Sequence, residues 1–185
     1  MAAPEKSATS AAEKSAGESA GERCLGLPAT NASLVVAACT AAIDAGLDGP
    51  DRARALAHRG NARRLLGDNL GARSDLFQAA DQYSALISRA SPQRTLIYAR
   101  AMIWHTLGEA DRALADYNWV ARLEPGNPNV FLNRGIVLAR YKAHYALALI
   151  DFEQVLQLKP RDPEVLHRAA LERAAALAVT SFAAR

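Results

Sequence analysis

Three stretches of the chain carry the same ladder of side chains at the same spacing. Ala72, Ala113 and Ala148 each stand four residues before Leu76, Tyr117 and Phe152, and seven before Ala79, Val120 and Val155. Two of these ladders close alike, with Leu123-Glu124-Pro125 and Leu158-Lys159-Pro160. Upstream of each runs a second ladder, in which Leu56, Ile97 and Phe131 precede Gly60, Ala101 and Gly135 by four residues. Spacings of four and seven hold side chains on one face of a helix. A small residue there lets a second helix approach closely, and the bulky residue fills the space beside it. One such helix pair cannot bury its apolar face alone, so the copies must stack.

The punctuation between the ladders agrees with helices throughout. Thr30 or Asn31 can cap a first helix over 31–45, which ends at Gly46. Further helices are predicted for Asp51–Leu66, Leu70–Ile87, Pro92–Leu107, Ala110–Leu123, Asn127–Arg140, Tyr145–Leu158 and Pro163–Phe182. Ser91 and Asp162 each precede a proline, which reads as an N-cap followed by the first helical position. No segment alternates apolar and polar residues for long enough to suggest a strand. The fold class read from the chain is therefore all-α.

These residues resemble the tetratricopeptide repeat (TPR), whose period is 34 residues. The stretch Arg94–Asn127 fits that length without a gap, with Gly108-Glu109 at its turn. The first unit turns at Gly67-Asp68, lacks the closing proline and carries about seven extra residues before the next. The third has one extra residue in its turn, with Lys142-Ala143 in place of glycine. The resemblance implies a right-handed α-solenoid of three TPR-like helix pairs, at about 53–90, 94–127 and 128–160. Capping helices at 31–45 and 163–182 would close its ends, and 24–185 would form a single domain. The segment Ala-Ala-Cys-Thr-Ala-Ala-Ile around Cys39 also resembles the lead-in helix of small, often exported, bacterial proteins of this family.

Residues 1–23 are Ala, Ser, Glu, Lys and Gly with no large apolar side chain after Met1, which predicts a disordered tail. They lack the apolar stretch of a signal peptide. The chain is thus expected to be periplasmic or secreted if a signal peptide lies upstream of this sequence, and otherwise cytoplasmic. No apolar run approaches the roughly 20 residues that cross a bilayer, so no membrane insertion is expected. A net charge of +3 on 185 residues is far from the basic stripe of a nucleic-acid binder. Cys24 and Cys39 are either two unrelated small hydrophobes or a disulfide that pins the first ordered residues to the first helix. The disulfide is the reading taken, and a loop of that size would contribute about 3 kcal/mol.

No phosphate loop, nucleophile elbow, His-Glu-x-x-His or Cys-x-x-Cys occurs, and His58, His105, His144 and His167 are scattered. The expectation is a non-enzyme with no catalytic residue, no metal and no cofactor. In the family the first helix of each pair lines a concave groove. On the matching positions the first unit offers Arg54, His58, Asn61 and Arg64. The second offers Tyr98, Met102 and His105, and the third Asn133 and Arg140. Leu132 and Ile136 would join Tyr98 and Met102 in an apolar middle. None of the matching positions is acidic. The implied function is a protein–protein interaction module, a monomer or weak dimer, taking an acidic and apolar peptide or partner protein in that groove. The alternative is a structural or assembly subunit of a larger complex or homodimer. Trp104 is assigned to the core, and Trp119 to an outward anchor or to packing under the connection at 84–91.

Overall fold

The computed structural model describes residues 20–89, 93–158 and 161–183, and among them there are helices and no strand. A short helix α1 covers residues 20–26. It is followed by α2 (Ala32–Asp44), α3 (Gly49–Leu65), α4 (Asn69–Arg89), α5 (Arg94–Leu107), α6 (Ala110–Leu123), α7 (Pro128–Lys142), α8 (Tyr145–Leu158) and α9 (Pro163–Ala183). By its contacts the chain divides into two compact units, Met1–Ser91 and Pro92–Arg185. Unit 1 holds α1–α4 and unit 2 holds α5–α9.

The helix ends follow from local chemistry. Asp162 accepts a hydrogen bond from the Glu164 backbone N–H at 2.9 Å, and Pro163 opens α9 behind it. Asn127 does the same for the Asn129 N–H at the start of α7, at 3.1 Å. Gly67 and Gly108 take positive φ where α3 and α5 stop. Ala143 takes that conformation at the end of α7 in place of glycine, with φ 51°. The helix expected from Pro92 begins at Arg94 with Gln93 at its cap position, and Ser91 and Pro92 lie outside the described residues. Helix α4 has 21 residues against 14 in α6 and α8, so much of the insertion in the first unit is built as extra helix.

Residues 20–23, assigned to the tail, belong to α1, and Ala20 is buried there. Residues 1–19 lie outside the described residues. Cys24 on α1 and Cys39 on α2 are joined by a disulfide, with Cα atoms 4.7 Å apart and both side chains fully buried.

Each helix pair is closed by a small residue set against a large one. A Cβ added at Gly60 would lie 3.0 Å from Leu76 Cγ and 3.1 Å from the Ala72 carbonyl. One added at Gly135 would lie 2.6 Å from Phe152 Cε1. Beside each such contact lies an ion pair that the sequence reading passed over. The residue before each small site is arginine, and the residue before each large one is aspartate. Arg59 bonds both oxygens of Asp75 at 2.8 Å, joining α3 to α4. Arg100 holds Asp116 at 2.8 and 2.7 Å across α5 and α6. Arg134 holds Asp151 at 2.8 and 2.6 Å across α7 and α8. Asp75, Asp116 and Asp151 are the charged side chains that are buried among the described residues. Burial pushes the Asp151 carboxyl up from its ordinary range, and Arg134 pulls against that. The bonds to Asp116 hold the Arg100 guanidinium firmly protonated, against its own partial burial.

Two stability predictions follow from this packing. Gly135→Leu should lower the melting temperature of unit 2, because overpacking costs about 1–3 kcal/mol. Gly126→Ala, where an added Cβ meets nothing within 4 Å, should leave it nearly unchanged. Equal melting of the two variants would contradict the packing register. Asp116→Ala removes the carboxylate that compensates a partly buried guanidinium and should cost roughly 3–5 kcal/mol in urea unfolding. Replacing both partners together, Arg100→Met with Asp116→Leu, should recover most of that loss. A single-variant cost below about 1 kcal/mol, the range of exposed pairs, would show that the pair contributes little.

Candidate functional site

Tyr98, Met102 and His105 stand at spacings of four and seven on α5 and so share one face of it. Met102 is 47% exposed, which is high for a methionine flanked by two half-buried aromatic groups. Asn133 on α7 reaches back across the helix pairs and donates from Nδ2 to the Tyr98 hydroxyl at 2.9 Å. The Tyr98 ring packs edge-on against Tyr117, with centroids 6.0 Å apart. His105 packs edge-on against both Tyr117 and Tyr141, at 6.4 and 5.9 Å. Burial raises the Tyr98 and Tyr117 hydroxyls above the usual range, so both stay protonated. The Tyr117 hydroxyl is buried and has no hydrogen-bond partner among the described residues. Unit 2 therefore brings four of the sequence-assigned groove residues, Tyr98, Met102, His105 and Asn133, onto one half-polar, half-aromatic face.

His105 is held below its ordinary pKa, first by burial and then by the positive charges of Arg140 and Arg168. It stays neutral near pH 7 and offers one donor and one acceptor nitrogen. Arg140 itself is exposed and pairs with Glu172 of α9. Leu132 and Ile136, expected in the apolar middle of the groove, are instead core residues. Helix α9 packs on both α7 and α8, and its Ala169 and Ala176 join the same cluster with Phe152 and Val155. The capping helix thus supplies burial to residues that the repeat pattern alone would place on an open surface.

Unit 1 carries the remaining assigned residues. Arg54 is exposed and pairs with Asp51 one turn away at 3.1 Å. Arg64 is exposed and Asn61 half-buried. His58 turns toward the N-terminal helices, with a ring nitrogen within 4.8 Å of both disulfide sulfurs. Trp104 is buried, with the Arg112 guanidinium 4.8 Å above its ring, and Trp119 is half-buried. The acids that meet Arg54 and Arg140 lie off the repeat's groove-matching positions. Asp51 was within sight at a spacing of three, whereas Glu172 lies 32 residues from Arg140 and is brought to it only by the fold.

Helix pairs closed by a small residue against a large one, in register three times over, are the architecture of tetratricopeptide-repeat proteins, and solved structures agree. A tetratricopeptide repeat protein from Parabacteroides merdae matches at 23% identity over 80% of this chain and 53% of its own, with a TM-score of 0.51. YrrB, a TPR protein with an unusual peptide-binding site, matches at 20% identity over 74% of this chain and 64% of its own, with a TM-score of 0.52. MamA (MSR-1) matches at 17% identity over 84% of this chain and 81% of its own, with a TM-score of 0.54. The chain spans less than two thirds of the length of the first two. No protein-family model matches the sequence, and no curated protein does. The fold is that of the tetratricopeptide-repeat solenoids, all-α and built from TPR-like helix pairs.

The depressed pKa of His105 gives a pH test of this face. The unfolded chain takes up the proton below about pH 6.5, while the folded chain resists it until a lower pH. The stability that His105 contributes is therefore present above that value and is lost as pH falls from it toward the folded pKa. His105→Gln should flatten the fall in melting temperature between about pH 7 and pH 5. Parallel wild-type and variant profiles would place His105 in an environment no different from water.

Proposed function

We propose that the chain is a protein–protein interaction module, without enzymatic activity of its own, that takes a peptide segment on the Tyr98–Met102–His105–Asn133 face of unit 2. The observation that carries this reading is the Asn133–Tyr98 hydrogen bond beside exposed Met102. Polar side chains held half out of water next to a flexible thioether suit an extended backbone with an apolar side chain. The amide of Asn133 can pair with peptide groups, and neutral His105 can donate or accept. No helix among the described residues is long and apolar enough to cross a membrane. The disulfide favours an oxidising compartment, periplasmic or extracellular.

An acidic ligand remains the preferred chemistry, but on modified grounds. Arg54 and Arg140 already hold Asp51 and Glu172. Exposed pairs of this kind contribute only about 0–1 kcal/mol, so a ligand carboxylate can exchange with the internal one at little cost. Arginine then sets salt dependence and association rate more than affinity. Arg54, Asn61 and Arg64 are proposed as a second contact face, on unit 1.

The test uses a peptide selected from a displayed library against the full chain. Tyr98→Ala with Asn133→Ala should weaken its binding at least tenfold with helicity intact. Arg140→Ala should mainly reduce the salt dependence. Affinity is expected near micromolar, as suits a short interface. Unchanged binding by the double variant would move the site off this face. A concentration-independent dimer in light scattering, with no selectable peptide, would favour the assembly-subunit alternative.

A further inference from the structure

Among the described residues, one group of soft and imidazole donors converges: Cys24, Cys39 and His58, whose Sγ and ring nitrogen atoms all lie within 4.8 Å of one another. The three come from three helices, α1, α2 and α3, so only the fold assembles them. Both cysteines are fully buried, whereas His58 is half-exposed. A disulfide needs only the two sulfurs. The imidazole beside them is not needed for that bond, and it lies outside the peptide face proposed on unit 2.

We propose that the Cys24–Cys39 disulfide is the closed form of a redox-gated metal site, and that the reduced chain binds one thiophilic d10 cation, Zn(II) or Cu(I), through Cys24, Cys39 and His58. The geometry is close to what the ion requires. Metal–sulfur bonds of about 2.3 Å and metal–nitrogen bonds of about 2.0–2.1 Å put ligand atoms roughly 3.5–4 Å apart. The sulfurs must separate once their bond is broken, and the His58 nitrogen is already near its place. Two thiolates and one imidazole suit three-coordinate Cu(I), or Zn(II) with water as the fourth ligand.

The chemistry balances without an unnamed partner. A dithiol reductant gives two electrons and two protons to the S–S bond and becomes a disulfide itself, leaving thiols at Cys24 and Cys39. The incoming cation displaces those two protons to solvent and takes both thiolates with the His58 lone pair. Oxidation by a disulfide reverses the sequence: the two thiolates exchange with it, the Cys24–Cys39 S–S bond forms again, the disulfide takes up two electrons and two solvent protons to become a dithiol, and the ion is released. The ion would hold α1 and α2 together in the reduced chain, where the disulfide holds them in the oxidised one.

The experiment takes the full chain, reduced with a phosphine that is then removed without air. Zn(II) is titrated against a chromophoric chelator and Cu(I) against bicinchoninate, with the oxidised chain and reduced His58→Ala alongside. One equivalent of either ion should bind the reduced chain and none the oxidised chain. His58→Ala should weaken binding by more than the roughly 10–100-fold that follows loss of a mere outer-shell partner. Should reduction lower the helicity, its recovery with one equivalent of metal supports the site, and no recovery overturns it. Absence of stoichiometric binding to a helical reduced chain, or equal binding by His58→Ala, likewise overturns it.

Discussion

Within each repeat, an arginine on the first helix grips an aspartate on the second through two parallel bonds, and the register of the whole pair depends on that grip. The apolar contacts nearby are of alanine, glycine, leucine and one aromatic ring, and several such arrangements would bury similar area. A bidentate guanidinium–carboxylate bond tolerates few of them. It also carries a penalty for any alternative, because a carboxylate left buried without its arginine is costly. Asp75, Asp116 and Asp151 are all buried, so a slip of one helix past the other strands a charge each time. The small residue next to each arginine is part of the same device. The helices touch closely at Gly60 and Gly135, and there the fork beside each reaches both carboxylate oxygens.

The arginine has a third donor, and its use shows how neighbouring pairs are joined. Arg134 gives Nη1 to Asn118 on α6 at 3.0 Å, and Arg59 gives Nη1 to Thr40 on α2 at 3.1 Å. Thr40 therefore stands to α2 as Asn118 stands to α6. The ladder agrees: Val35, Cys39 and Ala42 repeat the spacing of Ala113, Tyr117 and Val120, and all three are buried. Cys39 occupies the place of the large residue and Cys24, with Arg23 before it, that of the small one. The α1–α2 pair is thus a degenerate fourth member of the series. It has no large side chain to close it, and a covalent bond takes that role.

The legible part of this structure was the part set by local pattern. Helix ends at Gly67, Gly108 and Asp162 were readable because turn and cap chemistry acts within a few residues. The three helix pairs were readable because spacings of four and seven recur. The arginine and aspartate rows sat one residue from those ladders, and they were missed because charge on a helix is ordinarily solvated. Helix α1 was missed for a different reason. Its residues offer little apolar surface, and what orders them is a bond to Cys39, fifteen positions away. Of the residues assigned to a groove, Tyr98, Met102 and His105 share one face of α5, and Asn133 bonds Tyr98. Leu132 and Ile136 did not remain exposed, because the depth of a face depends on what packs against it: the cap at 163–182 was readable, but not that it joins these two residues in one core.

That last point bears on how a face for a partner is made at all. A solenoid must cap its final repeat, and the cap here covers apolar side chains of α7 while its Glu172 takes hold of Arg140. Capping thus withdraws large aliphatics from the surface available to a ligand and engages Arg140, which stays exposed, in an ion pair. What it leaves on α5 and α7 is an exposed thioether, a tyrosine hydroxyl held by an asparagine amide, and an imidazole kept neutral by burial and by two arginines. Such a set has little permanent charge and several directional donors and acceptors. If this face takes a peptide as proposed, its selectivity would rest on matching hydrogen bonds beside the charge of Arg140, because a half-buried amide or imidazole left unmatched by the wrong partner costs more than a matched one gains.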